Sequence, residues 1–119
     1  MNNMLNDSLK ETFGKAKESH GELYFPEEIV MDLIAWCDRH NIAILGIEGF
    51  EWSQGRITPK LDLIADYSSL FNTGKDWVEI KNRSVNLSKS FVELNKLKEN
   101  NLFFNFTFRE FTDPEKKAA

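Results

Sequence analysis

The segment IAILGIEGFEWSQGRITPKLDLIADY, residues 42–67, decides the fold. Its first residues are apolar on both sides, and the rest alternates apolar and polar side chains on either side of a turn at 53–55. Alternation across a short turn that contains glycine is the signature of a β-hairpin. The segment therefore predicts two antiparallel strands, at about 42–52 and 56–67. Because Pro59 has no backbone N–H for a ladder, we expect it at a bulge or on an edge strand.

Two helices are expected before this hairpin. Ser8, followed three residues later by a glutamate, has the spacing of a capping box, which predicts a peripheral helix that begins near Ser8 and fades by Gly21. A second helix is expected to start with Pro26, because proline suits the first helical position and a broad apolar face follows it. Asn41 is expected to end this helix in a left-handed conformation.

Two further elements are expected after the hairpin. Residues 76–98 carry an apolar stripe with helical spacing, and the sequence leaves open whether they form one long helix or a short strand followed by a helix. The segment LFFNFTFREF, residues 102–111, alternates along its length. It predicts a strand whose Phe104, Phe106 and Phe108 side chains face the core.

The order of these elements, α-α-β-β-α-β, predicts an α+β fold with a mostly antiparallel sheet and helices packed on one face. A length of 119 residues fits a single domain, and a hydrophobic content of 41% excludes a disordered chain. We expect the domain to span residues 1–119, with flexible termini at 1–7 and 112–119.

The net charge of the chain and its lack of targeting features indicate which kind of partner and which compartment to expect. A net charge of −4 repels phosphate and attracts a basic protein, so we expect a protein partner and no nucleic acid. The single Cys37 lies in an apolar helical pattern, which indicates a buried thiol in a reducing compartment. Residues 1–11 lack the features of a signal peptide, and no apolar run approaches the roughly 20 residues of a membrane span. We therefore expect a cytoplasmic protein that does not bind membranes, and the oligomeric state stays open.

The pattern that comes nearest to an enzyme is Asp62 (or Asp66) followed by Glu79-Ile80-Lys81. It resembles the PD-(D/E)xK core of metal-dependent nucleases. The resemblance implies that the acids hold Mg²⁺ and that Lys81 positions the attacking water, with the Glu-x-Lys segment on a central strand beside the strand of Asp62. The helical stripe through the same residues and the acidic charge of the chain favour instead a solvated helical Glu-Lys face.

No other pattern indicates catalysis or a bound cofactor. The acids of the hairpin are oxygen ligands that suit Ca²⁺ or Mg²⁺, but they do not form a ligand loop of defined spacing. His20, His40 and Cys37 are too few and too far apart for a typical zinc site. We therefore expect no metal, no cofactor and no catalytic residue.

The stretch GIEGFEW, residues 46–52, is the best candidate for a binding surface. In a strand, Glu48, Phe50 and Trp52 project to one side and Glu51 to the other. Two interpretations stay open: the aromatic residues belong to the core with the glutamates at its rim, or the stretch forms a recognition patch with aromatic anchors and carboxylates that steer a basic partner. In the second interpretation, the partner-binding residues are Glu48, Phe50, Glu51, Trp52, Asp62, Asp66 and Tyr67.

The segments LGIEGF, residues 45–50, and DLIADY, residues 62–67, lie in a small acidic chain rich in Asn, Lys and Phe. This chain resembles the immunity proteins of bacterial polymorphic-toxin and contact-dependent growth-inhibition systems. The resemblance implies a non-catalytic protein that binds and blocks a cognate toxin domain, often a basic nuclease. The Mg²⁺-dependent nuclease and a generic protein-interaction module are the alternatives.

Overall fold

The structure is a computed structural model that describes residues 3–95 and 101–111. Within these residues three helices pack against a five-stranded antiparallel sheet, so the α+β class is confirmed. The helices are α1 (Asn3–Thr12), α2 (Glu27–Arg39) and α3 (Trp77–Leu94), and a short 3₁₀ helix spans Ser68–Asn72. The strands are β1 (Lys17–Ser19), β2 (Glu22–Pro26), β3 (Ile42–Ser53), β4 (Arg56–Asp66) and β5 (Leu102–Glu110).

The hairpin of β3 and β4 lies where the sequence predicts it. Gln54 and Gly55 both have positive φ, 53° and 74°, which is the turn geometry that matches the twist of two paired strands. In the order β1-β2-β5-β3-β4, strand β4 is an edge strand, so the expected edge position of Pro59 is confirmed.

A bulge in β4 explains the second glycine of the GIEGFEW stretch. Glu48 is opposite Ile64, whereas the next residue of β3, Gly49, is opposite Lys60. The β4 residues between these two pairs form the bulge, and Leu63 among them turns into the core with 2% of its surface exposed. A Cβ on Gly49 would lie 2.7 Å from the Leu63 Cβ. Glycine is therefore required at this close approach.

The residues before α2 differ from the sequence prediction. Helix α1 spans Asn3–Thr12, so the predicted start near Ser8 and the predicted extension toward Gly21 are wrong. Residues 3–7 of the predicted flexible N-terminus belong to this helix. Residues 17–26 form the β1–β2 hairpin instead. The order of elements is therefore α-β-β-α-β-β-α-β. Residues 1–2 and 112–119 of the predicted flexible termini lie outside the described residues.

The β1–β2 hairpin forms because its turn and its strand pattern agree. His20 and Gly21 both have positive φ, 53° and 80°, the same turn geometry as in the second hairpin. Leu23 and Phe25 face the core at 5% and 1% exposure, and Tyr24 between them points to the other side.

The last strand, β5, lies in the middle of the sheet between β2 and β3. Phe104 and Phe106 face the core and are 0% and 7% exposed, and the half-buried Phe108 packs against the same core. The prediction for this segment is confirmed. Phe103 lies on the opposite side of β5 and is still only 8% exposed, which identifies a second packed region on the sheet.

The two long helices have clear boundaries. Pro26 is the cap residue of α2, one position before its predicted place, and Asn41 is left-handed at φ 57° as expected. Trp77–Leu94 is one helix, and the Asp76 carboxylate caps it by accepting the Glu79 N–H at 2.9 Å. A short strand before the helix is therefore excluded, and residues 96–98 lie outside the described part of the chain.

Candidate protein-binding surface

The two faces of the sheet differ in what covers them. One face carries Phe25, Ile47 and Phe104 beneath the helices and forms the core. In the described part of the chain, no helix lies across the middle of the other face, which we call the outer face. Its residues come from all five strands and include Lys17, Glu22, Tyr24, Glu48, Phe50, Trp52, Ile57, Pro59, Ile64, Asp66, Phe103, Asn105 and Thr107.

Four aromatic rings meet on the outer face and form what we call the aromatic cluster: Tyr24, Phe50, Trp52 and Phe103. Tyr24 packs edge-on against Phe50 and Trp52, with ring centroids 5.2 Å and 5.5 Å apart. Trp52 and Phe103 lie 5.3 Å apart. Each such contact contributes about 0.5–1.5 kcal/mol beyond the burial of area. The cluster is therefore an ordered apolar surface, and all of its rings except Phe103 are partly exposed.

The cluster follows from strand register. Phe50 is directly opposite Phe103 in the β3–β5 ladder, so both side chains leave the sheet on the same side. Trp52 is two residues along β3 and shares that side. The β1–β2 hairpin adds Tyr24 and its opposite residue Lys17.

A lysine lies over two rings of the cluster. The Lys17 Nζ is 5.1 Å from the centroid of the Trp52 ring and 5.3 Å from the centroid of the Phe103 ring. Both distances are within the roughly 6 Å range of cation–π attraction. Since Lys17 itself is exposed, the ammonium group is held at the surface rather than buried.

Two glutamates border the aromatic cluster near Tyr24. Burial raises the pKa of the Tyr24 hydroxyl, and the nearby negative charges of Glu22 and Glu48 raise it further. The Asn105 amide fixes one of them by donating to the Glu22 Oε2 at 2.9 Å and to the Leu23 carbonyl at 3.0 Å. The cluster therefore has an acidic border.

The structure brings three of the seven predicted binding residues together at the aromatic cluster or its border: Glu48, Phe50 and Trp52. Glu51 is exposed on the opposite side of β3, in register with the core residue Leu102. Asp62 is exposed in the β4 bulge.

The remaining two predicted residues, Asp66 and Tyr67, lie at the far end of β4, where Asp66 projects to the same side of the sheet as Ile64. Hydrogen bonds from the hydroxyl and the backbone N–H of Ser68, the latter 2.9 Å long, lower the pKa of the Asp66 carboxyl. Tyr67 is half-buried against the core. Its burial raises the pKa of its hydroxyl, and the nearby Ser88 side chain offsets part of this increase. Tyr67 is therefore a packing residue rather than an exposed anchor.

Two members of the surface were missed from the sequence. Tyr24 and Lys17 belong to the β1–β2 hairpin; the sequence prediction placed Lys17 in the fading end of the first helix and gave Tyr24 no element. The signal was present in the Gly21 turn and in the alternation of Leu23 and Phe25 with polar or aromatic neighbours. Phe103 was correctly placed opposite the core, but its contact with Trp52 depends on a register that sequence does not provide.

A groove adjoins the outer face. β2 pairs with β5 at Phe25 and Pro26, and the strands separate beyond Asn105. The space between them and α1 has a volume of about 560 Å³ and is lined by Glu22, Asn105 and Thr107 on its outer-face side. The acidic border thus continues into a concave surface, which is a shape suited to an inserted side chain.

The residues of the nuclease resemblance are not arranged as that core requires. Glu79 and Lys81 lie on helix α3 rather than on a central strand. The Lys81 ammonium donates to the Asp38 carboxylate at 2.6 Å, while Asp62 is exposed on the edge strand β4. Across residues 3–95 and 101–111, no three Asp, Glu, His or Cys side chains are grouped to hold a metal ion.

Comparisons with known protein families, with curated proteins and with solved structures found no match for this chain. None of the helices in the described residues is long and apolar enough to cross a membrane. Because a fold by itself does not specify a function, the function has to be inferred from the site residues.

Proposed function

We propose that this chain is a non-catalytic immunity protein that binds and blocks a cognate, basic toxin domain of the nuclease type in the cytoplasm. The observation that supports this proposal is the outer face, where the aromatic cluster is partly exposed beside the carboxylates of Glu22 and Glu48. The partner is then a protein with a basic surface.

The chemistry of the outer face fits such a partner. Trp and Tyr are enriched among the residues that dominate binding energy, and Trp52 and Tyr24 are held in fixed positions by their ring contacts. Holding them in place lowers the entropy lost on binding. The acidic border and the net charge of −4 attract a basic surface over a distance of about one Debye length, roughly 8 Å at physiological salt.

Binding alone is sufficient for neutralisation. A nuclease needs a basic surface to hold its nucleic-acid substrate. An acidic protein that covers this surface, or one next to it, excludes the substrate without any chemistry of its own. The expected stoichiometry is one immunity protein to one toxin domain.

The direct test is protection of living cells. The C-terminal domain of a large secreted protein encoded beside the gene for this chain is expressed from an inducible promoter, with and without the chain. We expect growth to stop when the domain is expressed alone and to continue when the chain is co-expressed. The purified pair should elute as a single complex in gel filtration.

A matched variant checks that protection depends on the outer face. Ile64 is 52% exposed on that face, opposite Glu48, so Ile64→Arg adds a positive charge with little cost to folding. This variant should protect poorly. Val78→Arg places the same charge on an exposed position of α3, 58% exposed, and should protect fully. Absence of protection by the unaltered chain would refute the proposal.

A further inference from the structure

The aromatic cluster has a position for a cation, and the chain fills that position with its own residue. One ammonium group, that of Lys17, lies at nearly equal distances, 5.1 Å and 5.3 Å, from the Trp52 and Phe103 ring centroids. The face of an aromatic ring carries a negative potential, and among Trp, Tyr and Phe the Trp ring attracts a cation most strongly. Two converging rings therefore define where a positive charge is stabilised.

Lys17 is weakly held at this position. It belongs to β1, a strand of three residues paired with β2, and it is exposed. The neighbouring lysines are each tied to a carboxylate, Lys15 to Glu28 at 3.3 Å and Lys10 to Glu18 at 3.4 Å. Among the described residues, the contacts of the Lys17 ammonium are those with the two rings. A rotation of its side chain exposes the ring faces without breaking an ion pair.

The surroundings of the two rings favour a cationic group that contacts the rings and the nearby carboxylates at the same time. Tyr24 contacts Trp52, and the charges of Glu22 and Glu48 act on Tyr24. A guanidinium group over the rings thus has carboxylates on the same face for charge pairing. Arginine stacks on aromatic rings and pairs with carboxylates at the same time, because its planar group presents donors along its edge.

We propose that the aromatic cluster is a receptor for a cationic side chain of the partner, an arginine in particular, and that Lys17 occupies this receptor until the partner displaces it. This inference rests on the proposed function, because it names the chemical group by which the toxin domain is recognised. Lys17 then keeps the rings shielded in the free protein and competes with the partner for them.

Removal of the competing lysine should strengthen cation binding. Lys17→Ala vacates the position over the rings and also removes a like charge from the outer face. We expect about a two- to fivefold gain in affinity for a cationic ligand, the size of one exposed cation–π contact. Lys15→Ala changes the net charge of the chain equally but leaves the rings covered, so it serves as the matched control.

The test uses small probes and needs no identified partner. N-acetylarginine amide is titrated into the ¹⁵N-labelled protein, and the Trp52 indole N–H is followed by NMR. N-acetylcitrulline amide is the neutral probe of the same shape. The Trp77 indole, which donates to the Asn41 carbonyl at 3.2 Å, is the internal reference. We expect a saturable shift of Trp52 with the arginine probe, with tighter binding to Lys17→Ala than to wild type or Lys15→Ala, and no such shift with citrulline.

Two results would overturn the inference: an equal response to the arginine and citrulline probes, or equal affinity of Lys17→Ala and Lys15→Ala for arginine. If Lys17→Ala lowers the melting temperature, Lys17→Gln, which keeps part of the side-chain stem, must show the same gain. The outcome is independent of the protection assay. Loss of the arginine effect with intact protection removes this inference alone, whereas arginine binding without protection removes the proposed toxin partner.

Discussion

Lys81 of α3 donates to the Asp38 carboxylate of α2 at 2.6 Å and to the Asp38 backbone carbonyl at 3.3 Å. Lys81 is 8% exposed, so its charge is neutralised within the fold. The lysine that a nuclease would use to position water therefore joins two helices. This relationship gives Lys81 a part in the stability of the fold, and it leads to a pH-dependent prediction.

Replacement of Lys81 by Met should destabilise the fold in a pH-dependent way. The hydrogen bond from Lys81 lowers the pKa of Asp38 below its ordinary value of 3.8. The stabilisation is therefore present above pH 3.8 and is lost as the pH falls through the lower pKa of the folded state. At pH 7 we expect a loss of roughly 1–2 kcal/mol, less than for a fully buried pair because the Asp38 side chain is 45% exposed. Urea unfolding at pH 7 and at pH 2.5 measures this difference, and an equal loss at both pH values would contradict it.

Ser84 should matter more than its size indicates. Ile44 of β3 lies past the last residue pair of the β3–β4 ladder. Its N–H donates instead to the Ser84 Oγ at 3.0 Å, and that hydroxyl donates to the Lys81 carbonyl at 2.9 Å. Ser84→Ala leaves a buried backbone N–H without its acceptor, which costs about 1–3 kcal/mol. Ser90→Ala, at an exposed position of the same helix, is the control and should change stability little. Equal melting temperatures for the two variants would show that the bond contributes nothing.

Gly49 should not tolerate a side chain. An added Cβ would lie 2.7 Å from the Leu63 Cβ and 2.9 Å from its Cδ1, closer than these atoms can approach. Gly49→Ala therefore forces the β4 bulge to move and should cost about 1–3 kcal/mol. At Gly14 an added Cβ meets nothing within 4 Å, so Gly14→Ala should be neutral or mildly stabilising. Thermal unfolding of the two alanine variants checks this contrast.

Variants of Glu48 and Glu51 test which side of β3 binds the partner. Both residues are exposed, but Glu48 borders the aromatic cluster while Glu51 projects to the opposite side. Glu48→Gln should slow association with the toxin domain and weaken its dependence on salt, whereas Glu51→Gln should do neither. Stopped-flow association at two salt concentrations measures both effects. If the two variants behave alike, the acidic border does not steer the partner.

Local signals predicted much of the fold. The glycine turn and alternation of residues 42–67 were sufficient for the β3–β4 hairpin, and the Phe alternation was sufficient for β5. The β1–β2 hairpin was missed because a strand of three residues is too short to show a period. The stripe from Trp77 suited either a strand or a helix, and the Asp76 cap together with packing against the neighbouring helix decides for the helix.

The candidate site was predictable only in part. The side to which Glu48, Phe50 and Trp52 project follows from strand alternation alone. Their neighbours do not, because Tyr24 and Phe103 come from strands whose register is fixed by tertiary packing. The structure thereby changes the membership of the surface rather than its location on β3.

The central claim is that the outer face binds the toxin domain, and calorimetric titration of Trp52→Ala with that domain tests it most directly. Trp52 is in contact with Tyr24, Phe103 and Lys17. Its loss should therefore raise the dissociation constant about 30-fold or more, as for a central aromatic anchor. Val78→Ala, at an exposed site on α3, should bind like wild type. A Trp52→Ala protein that retains its fold and binds with wild-type affinity, together with an Ile64→Arg protein that does the same, would contradict the account.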